Sequence, residues 1–177
     1  MVNPHGERTI TIASAAYLTL WSFQVDKLSS PFLFDDETNM VIDNQGVSCK
    51  LYPGALASLQ YLKSNGFPLA IASRISNISA AYQLLHLFNI SQYFDFKTIY
   101  PGSKVHHFKH LHAISRVDLR NMIFFDDDKR NIRSVARLGV HCVHVTDGLT
   151  VDIIKENLNE FHRSRSKMVD GENKELV

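Results

Sequence analysis

Three consecutive aspartates, Asp126, Asp127 and Asp128, directly follow the apolar run 122–125. The apolar run is typical of a buried strand, whereas adjacent carboxylates repel one another and gain nothing from burial. Such a cluster needs a cation, a basic partner or solvent beside it. Carboxylate oxygens are the ligands that Mg²⁺ prefers, so a magnesium site is one hypothesis. The other hypothesis is a solvated helix N-terminus, where the helix dipole favours acidic side chains. We expect Asp128 to be only an N-terminal helix acid of this kind.

Polar residues also stand where three other short apolar runs end. These segments are Ser14-Ala15-Ala16, Ser73-Arg74 and Pro101-Gly102-Ser103-Lys104. In parallel sheets the carboxyl ends of the strands share one edge, where ligands bind. A hydroxyl and two cations converging there would suit a phosphate group. The alternatives are that Ser73 caps a helix and that Lys104 is an ordinary surface lysine.

Four histidines, at positions 106, 107, 110 and 112, form a dense group. His106 and His110 are four residues apart and would share one face of a helix. A zinc-type site needs a third and usually a fourth ligand, and no cysteine or acid is suitably placed nearby. We therefore interpret these histidines as surface or half-buried residues.

The elements that must position these residues alternate along the chain. Residues 9–13 are β-branched and predict a first strand. Residues 22–52 are mixed, and the turn signal at 44–46 predicts a small β-hairpin insert. Helical spacing of leucines then predicts a helix between Pro53 and Gly66. Strands are predicted at 68–72, 94–100, 122–125 and 140–145, and helices at 79–88, 104–114, 130–138 and 151–161, with Gly139 closing the third of these.

This alternation predicts an α/β fold, a Rossmann-like parallel sheet with helices on both faces. The 177 residues are most economically one domain. We place that domain at residues 1–161, with residues 22–52 as a small β-hairpin insert instead of a large cap. Residues 162–177 are charged and nearly free of large apolar side chains, and we expect them to be a disordered tail.

The composition excludes some classes of partner. A formal net charge of +1 gives no reason to expect nucleic acid. No apolar run reaches the roughly 18 residues of a membrane span, and the polar start lacks the features of a signal peptide. Two distant cysteines, Cys49 and Cys142, are typical of reduced thiols. We expect a cytoplasmic protein, with the nucleus as the alternative. No feature of the sequence indicates an oligomeric state.

Four segments together resemble a known family. The spellings "IASR", "IYPGSKVHHF", "FFDDDKRNI" and "LGVHCVHVTDG" are similar to the magnesium-dependent phosphatase branch of the haloacid dehalogenase (HAD) superfamily. The resemblance covers roughly residues 19–161. It implies a HAD-like core and hydrolysis of phosphomonoesters such as phosphotyrosine or sugar phosphates. The implied partner is a phosphorylated small molecule or a phosphoprotein, and the implied cofactor is Mg²⁺.

The resemblance also implies a role for each matching residue. Ser73 would bind the phosphoryl group, and Arg74 would contact the substrate. Lys104 would neutralise the charge of the phosphorylated nucleophile. Asp127 would hold Mg²⁺, with Asp126 beside it as support.

The first strand departs from the family pattern, which is Asp-x-Asp followed by Thr. Thr19-Leu20-Trp21 keeps the register, but Ala15 stands at the nucleophile position and Tyr17 at the acid/base position. Alanine cannot form an acyl-phosphate, and loss of a nucleophile typically lowers the rate by a factor of about 10⁶. It also removes an oxygen ligand, so we expect weak Mg²⁺ binding.

Three hypotheses follow. The chain is a phosphatase of this family whose activity is impaired, or it is an inactive pseudophosphatase that binds phosphate or regulates another protein. The third is that residues 1–18 come from an alternative first exon or a gene-model error. Transcript sequencing across the codons for residues 17–21 separates the third hypothesis from the others.

Overall fold

A five-stranded parallel sheet forms the centre of the protein. The structure is a computed structural model that describes the backbone of residues 10–13 and 19–172 and the side chains of residues 19–165. Its strands, in chain order, are β1 (Ile10–Ala13), β2 (Leu33–Asp35), β3 (Met40–Ile42), β4 (Ser48–Cys49), β5 (Leu69–Ser73), β6 (Phe96–Ile99), β7 (Met122–Asp126) and β8 (His141–His144). The order across the parallel sheet is β6-β5-β1-β7-β8, so β1 is central.

Helices cover both faces of this sheet, as predicted. They are α1 (Ala55–Ser64), α2 (Ile78–Leu87), α3 (Lys104–Ser115), α4 (Lys129–Ala136) and α5 (Val151–Glu172). Helices α3 and α4 pack together on one face, and α1 and α5 contact each other on the opposite face. The predicted α/β fold with a Rossmann-like sheet is confirmed.

Strand β5 shows how the sheet separates two apolar cores. Leu69 and Ile71 belong to the larger core under α1, α2 and α5, whereas Ala70 and Ala72 belong to the smaller core under α3 and α4. This alternation follows from the period of two in a strand. Because both faces are covered, all five residues of β5 are buried. The strand therefore ends with Ser73 at the edge of a rigid, closely packed layer.

The insert at residues 22–52 contains one strand more than the predicted hairpin. Strands β2, β3 and β4 form an antiparallel sheet in that order. The predicted turn at 44–46 lies between β3 and β4, and Gly46 has a φ of +80° there. The carboxylate of Asp43 accepts hydrogen bonds from the backbone N–H groups of Gln45 and Val47, at 2.9 and 2.8 Å. Two-residue β4 was too short to be visible as a strand pattern.

The last helix is longer than predicted. We expected it to end at Phe161 and residues 162–177 to be disordered, but α5 continues to Glu172. Arg165 explains part of this extension, because its guanidinium lies 5.7 Å from the centre of the Phe161 ring and donates to the carbonyl oxygen of Arg120 at 2.6 Å. A charged helix end of this kind has no apolar stripe to reveal it. The division into a domain and a tail stays a prediction, and residues 173–177 lie outside the described part of the chain.

Two smaller predictions can be compared with the structure. Gly139 has a φ of +87° just after α4, consistent with a residue that closes a helix. Cys49 and Cys142 are free thiols.

In the described part of the chain, no helix is both long and apolar enough to cross a membrane.

Candidate functional site

The predicted site residues come together at the carboxyl edge of the sheet. Ser73 ends β5 and Asp126 ends β7, the two strands that flank β1. Lys104 is the first residue of α3, which packs on β5. The two residues at the catalytic positions, Ala15 and Tyr17, lie outside the described residues.

A buried ion pair joins two of these elements. The ammonium nitrogen of Lys104 lies 3.3 Å from a carboxylate oxygen of Asp126, and both side chains are 0% exposed. The ammonium also donates to the carbonyl oxygen of Ala72 and lies 5.4 Å from the centre of the Phe124 ring. Burial lowers the pKa of Lys104, and the facing carboxylate of Asp126 opposes this shift. Lys104 is therefore not the ordinary surface lysine that its type alone would suggest.

Asn131 holds the other side of the Asp126 carboxylate. Its amide nitrogen lies 3.1 and 3.2 Å from the two carboxylate oxygens. The backbone N–H of Asp128 donates to the same carboxylate at 2.8 Å. With Lys104 these donors surround Asp126, which explains how a carboxylate can be completely buried.

Asp127, in contrast, faces an unfavourable environment. Partial burial, together with the neighbouring carboxylates of Asp126 and Asp128, raises its pKa to about 6. A bound cation would relieve this repulsion, and a carboxylate is a ligand type that Mg²⁺ prefers. Asp127 therefore fits the metal-binding role that the sequence predicts, although no group of three or more metal-type ligands occurs among the described residues.

Asp128 has the structural role that we expected for it. It is the N-cap of α4, and its carboxylate accepts from the backbone N–H of Arg130 at 2.8 Å. The Arg130 guanidinium also pairs with this carboxylate at 2.8 Å and lowers its pKa. The three consecutive aspartates thus have three different environments.

Among the residues that the structure describes, the buried Ser73 hydroxyl has no hydrogen-bond partner. The alternative interpretation of Ser73 as a helix cap is wrong, because Asn77 is the N-cap of α2. The hydroxyl of Thr19, on the segment after β1, is also buried and unpartnered. Buried hydroxyls are normally satisfied, so these two groups indicate a place where a polar ligand would supply the missing partner.

Arg74 is connected to this site by way of Asn131. Its guanidinium donates to the side-chain oxygen of Asn131 at 3.2 Å, and Asn131 in turn holds Asp126. Arg74 itself is exposed, as a residue that contacts substrate must be. A chain of hydrogen bonds and one ion pair thus joins Arg74 to Lys104 by way of Asn131 and Asp126.

One of the four histidines differs from its predicted environment. His107 is completely buried, whereas we expected a surface or half-buried residue. His106 and His110 are exposed, and their ring nitrogens lie near the hydroxyls of Ser103 (3.0 Å) and Tyr100 (3.4 Å). The burial of His107 follows from its spacing, because α3 buries residues 104, 107, 108 and 111 on one face.

The sequence interpretation missed Asn131 and His107 as site residues. Each lies on a helix that follows a predicted strand end, three to five residues after a predicted ligand. That spacing returns a side chain to the same face of the helix and would have been a usable signal for His107, three residues after Lys104.

The similarity of this chain to known proteins agrees with this geometry. A family model described as "Acid Phosphatase" matches residues 17–164. Human magnesium-dependent phosphatase 1 is 40% identical over 148 residues, which are 84% of each chain. A HAD-like hydrolase superfamily protein from Schizosaccharomyces pombe is 32% identical over 81% of this chain and 90% of its own length. The chain belongs to the magnesium-dependent phosphatase family of the HAD superfamily.

Solved structures confirm the HAD-like fold. A HAD-superfamily hydrolase from Ehrlichia chaffeensis superposes with a TM-score of 0.59 and 19% identity, over 89% of this chain and 97% of its own. At this identity the likeness concerns the fold alone. The relatives at higher identity support phosphatase chemistry as the activity of the family.

We predict strong coupling between Lys104 and Asp126. Lys104→Met should lower the free energy of unfolding by about 3 to 5 kcal/mol, because it leaves a buried carboxylate without its cation. The double variant with Asp126→Asn should lose less than the sum of the single variants, with a coupling energy of about 2 kcal/mol. Urea unfolding of the four proteins measures this energy.

The exposed pair Lys63–Asp95, at 2.9 Å with side chains 33% and 39% exposed, is the matched control. The cycle of Lys63→Met and Asp95→Asn should give a coupling energy below about 1 kcal/mol. Equal coupling energies in the two cycles would contradict the special status of the buried pair.

We also predict that Asp127 destabilises the folded state at neutral pH. Its raised pKa means that the folded state binds the proton more tightly, so stability falls as the pH rises from about 4 through the folded pKa of about 6. Asp127→Asn should therefore gain about 1 to 2 kcal/mol at pH 7.5, a value reduced from roughly 3 kcal/mol for partial solvent screening. The gain should disappear at pH 4. Unfolding curves at both pH values test this.

Asp128→Asn is the control for that measurement. Arg130 lowers the pKa of Asp128, so its carboxylate stabilises the folded state and the substitution should give no gain at pH 7.5. A loss of stability in Asp127→Asn at pH 7.5 would show that the Asp127 carboxylate is satisfied in some other way.

Proposed function

We propose that this chain binds the phosphate group of phosphomonoesters at the carboxyl edge of its parallel sheet and hydrolyses them only very slowly. The observation that carries the proposal is the buried, unpartnered Ser73 hydroxyl at the end of β5. The preceding residue, Ala72, accepts a hydrogen bond from Lys104, which supports our proposal that the hydroxyl and the ammonium belong to one site. A donor hydroxyl and a cation are what a phosphate group requires.

Charge supports an anionic ligand at this position. Arg74 supplies an exposed cation, and Lys104 supplies a second one that is already paired with Asp126. Asn131 connects Arg74 to the Asp126 carboxylate. Asp126 is already neutralised by Lys104 and its amide donors. Arg74 is exposed and its fork of N–H groups suits a phosphate oxygen pair. We propose that Ser73 and Lys104 bind the phosphate group and that Arg74 contacts the remainder of the substrate.

Magnesium is the cofactor that the family implies. In this chain Asp127, supported by Asp126, would hold the ion, and the ion when bound would neutralise charge on the phosphate. Ala15 supplies no oxygen, so we propose that Mg²⁺ binds weakly here. The raised pKa of Asp127 supports its assignment as the ligand.

Slow hydrolysis is proposed from the residue types at positions 15 and 17. Ala15 cannot attack phosphorus, because it carries no nucleophilic atom. Tyr17 is a poor base near neutral pH, since an unperturbed tyrosine has a pKa of about 10. A phosphate bound by Ser73 and Lys104 would therefore remain attached to its leaving group. If the rate of hydrolysis is zero, the chain is a pseudophosphatase that binds phosphate without turnover.

The substrate class follows from the small insert. The antiparallel sheet β2-β3-β4 replaces a large cap, and we propose that the site is open enough for a phosphoprotein side chain as well as for a phosphorylated small molecule.

We predict that Ser73→Ala weakens the binding of inorganic phosphate about tenfold or more, because one hydrogen bond to an anion is lost. The variant should be as stable as the wild type or slightly more stable, since the removed hydroxyl has no partner among the described residues. Isothermal titration calorimetry with phosphate, together with urea unfolding, measures both effects.

Ser58→Ala is the matched control. Ser58 also carries a buried, unpartnered hydroxyl, but it lies within α1 and not at a strand end. Its substitution should leave phosphate affinity unchanged. Phosphate binding that is equal in the wild type and both variants would remove Ser73 from the site.

A further inference from the structure

His107 lies at the point where the segments that carry the phosphate ligands meet. It is three residues after Lys104 on the buried face of α3 and is 0% exposed. Its ring stacks on that of Tyr100, with the ring centres 4.1 Å apart and the planes 9° from parallel. A buried imidazole is acceptable only where its polar atoms have partners, and these partners are all backbone carbonyl groups.

The contacts of the ring reach three separate segments. Nδ1 lies 2.8 Å from the carbonyl oxygen of Ser103, the residue that precedes α3. Nε2 lies 3.0 Å from the carbonyl oxygens of both Ser73 and Tyr100. One side chain therefore links the end of β5, the loop after β6 and the first turn of α3.

These links act on the residues of the site. The Ser73 carbonyl belongs to the residue whose hydroxyl is unpartnered, and Ser103 is the neighbour of Lys104. A neutral imidazole donates through one nitrogen only, whereas a protonated ring donates through both. Burial and the Lys104 charge lower the pKa of His107, while the three carbonyl contacts oppose this shift. A neutral ring with its proton on Nε2 donates to the carbonyl oxygens of Ser73 and Tyr100, and only a protonated ring donates to Ser103 as well.

We propose that His107 is a positioning residue that holds the Ser73 hydroxyl and the Lys104 ammonium at the separation that a phosphate group requires. The inference rests on the proposed function, because it concerns the same site. His107 itself touches no substrate. It acts through Nε2, which ties α3, the helix that carries Lys104, to the backbone of Ser73. A displacement of about 1 Å at such a site is enough to weaken binding strongly.

Three substitutions separate the two sides of the ring. His107→Phe keeps a ring to stack on Tyr100 and removes both polar contacts. In His107→Gln the amide nitrogen takes the place of Nε2 and keeps the contact to Ser73 and Tyr100. In His107→Asn the amide nitrogen takes the place of Nδ1 and keeps only the contact to Ser103. We expect His107→Phe and His107→Asn to bind inorganic phosphate about tenfold or more weakly and His107→Gln to stay within about threefold of wild type.

His112→Phe is the matched control, because His112 is on the same helix and its Nδ1 lies 2.7 Å from the carbonyl oxygen of Val117, but it is exposed. Its phosphate affinity should equal that of the wild type. Isothermal titration calorimetry measures affinity in all five proteins, and urea unfolding measures stability separately. A residue with a merely structural role would change stability in all three His107 variants without this order of affinities.

The measurements distinguish failure of the proposed function from failure of this inference. A wild-type protein that binds no phosphate overturns the proposed function and this inference with it. A wild type that binds phosphate, with equal affinity in His107→Phe, overturns the inference alone. If His107→Phe does not fold, the comparison of His107→Asn with His107→Gln decides, and equal affinities in these two variants overturn the inference.

Discussion

The ion pair between Lys104 and Asp126 is the constraint on which the rest of the site depends. Burying two charges costs several kcal/mol per ion unless each has a full set of partners. Here the Ala72 carbonyl satisfies the ammonium, and Asn131 and the backbone N–H of Asp128 satisfy the carboxylate. These partners come from β5, from α4 and from the residue that caps α4. The strand order brings these partners together, because it places the ends of β5 and β7 on either side of β1.

In this arrangement the Asp126 carboxylate is neutralised, whereas the Asp127 carboxylate is not. Asp126 is enclosed by donors, whereas Asp127 has a pKa of about 6 because burial and its acidic neighbours oppose its ionisation. Among the described residues, the Ser73 hydroxyl is likewise left without a partner in a closely packed layer. Unsatisfied groups at the ligand-binding edge of a sheet are typical of sites at which stability is given up for binding. Both groups lie at the edge where a phosphate and a cation would meet.

Much of this could be predicted from the sequence, and the failures have physical causes. Apolar runs bounded by turns predicted the parallel sheet, and the strand-end rule predicted that Ser73, Lys104 and Asp126 would converge. The burial of His107 was not predicted, because a histidine among three others has the pattern of an exposed helix face. The role of Asn131 was missed because an amide carries no charge to mark it. The extension of α5 beyond Phe161 was missed because residues 162–172 have no apolar stripe and Arg165 is fixed by a contact distant in sequence.

The central claim is that the chain has a complete phosphate site and lacks only the two carboxylates of the first strand. The family register puts the nucleophile at position 15, so we expect an Asp introduced there to act with Ser73 and Asp127. The most direct measurement is hydrolysis of para-nitrophenyl phosphate with Mg²⁺ by the wild type and by the double variant Ala15→Asp/Tyr17→Asp. We predict background rates for the wild type and Mg²⁺-dependent turnover for the double variant, lost again on Asp127→Asn. Turnover by the wild type that Asp127→Asn abolishes, or a folded double variant that binds Mg²⁺ and shows no turnover, would contradict the account.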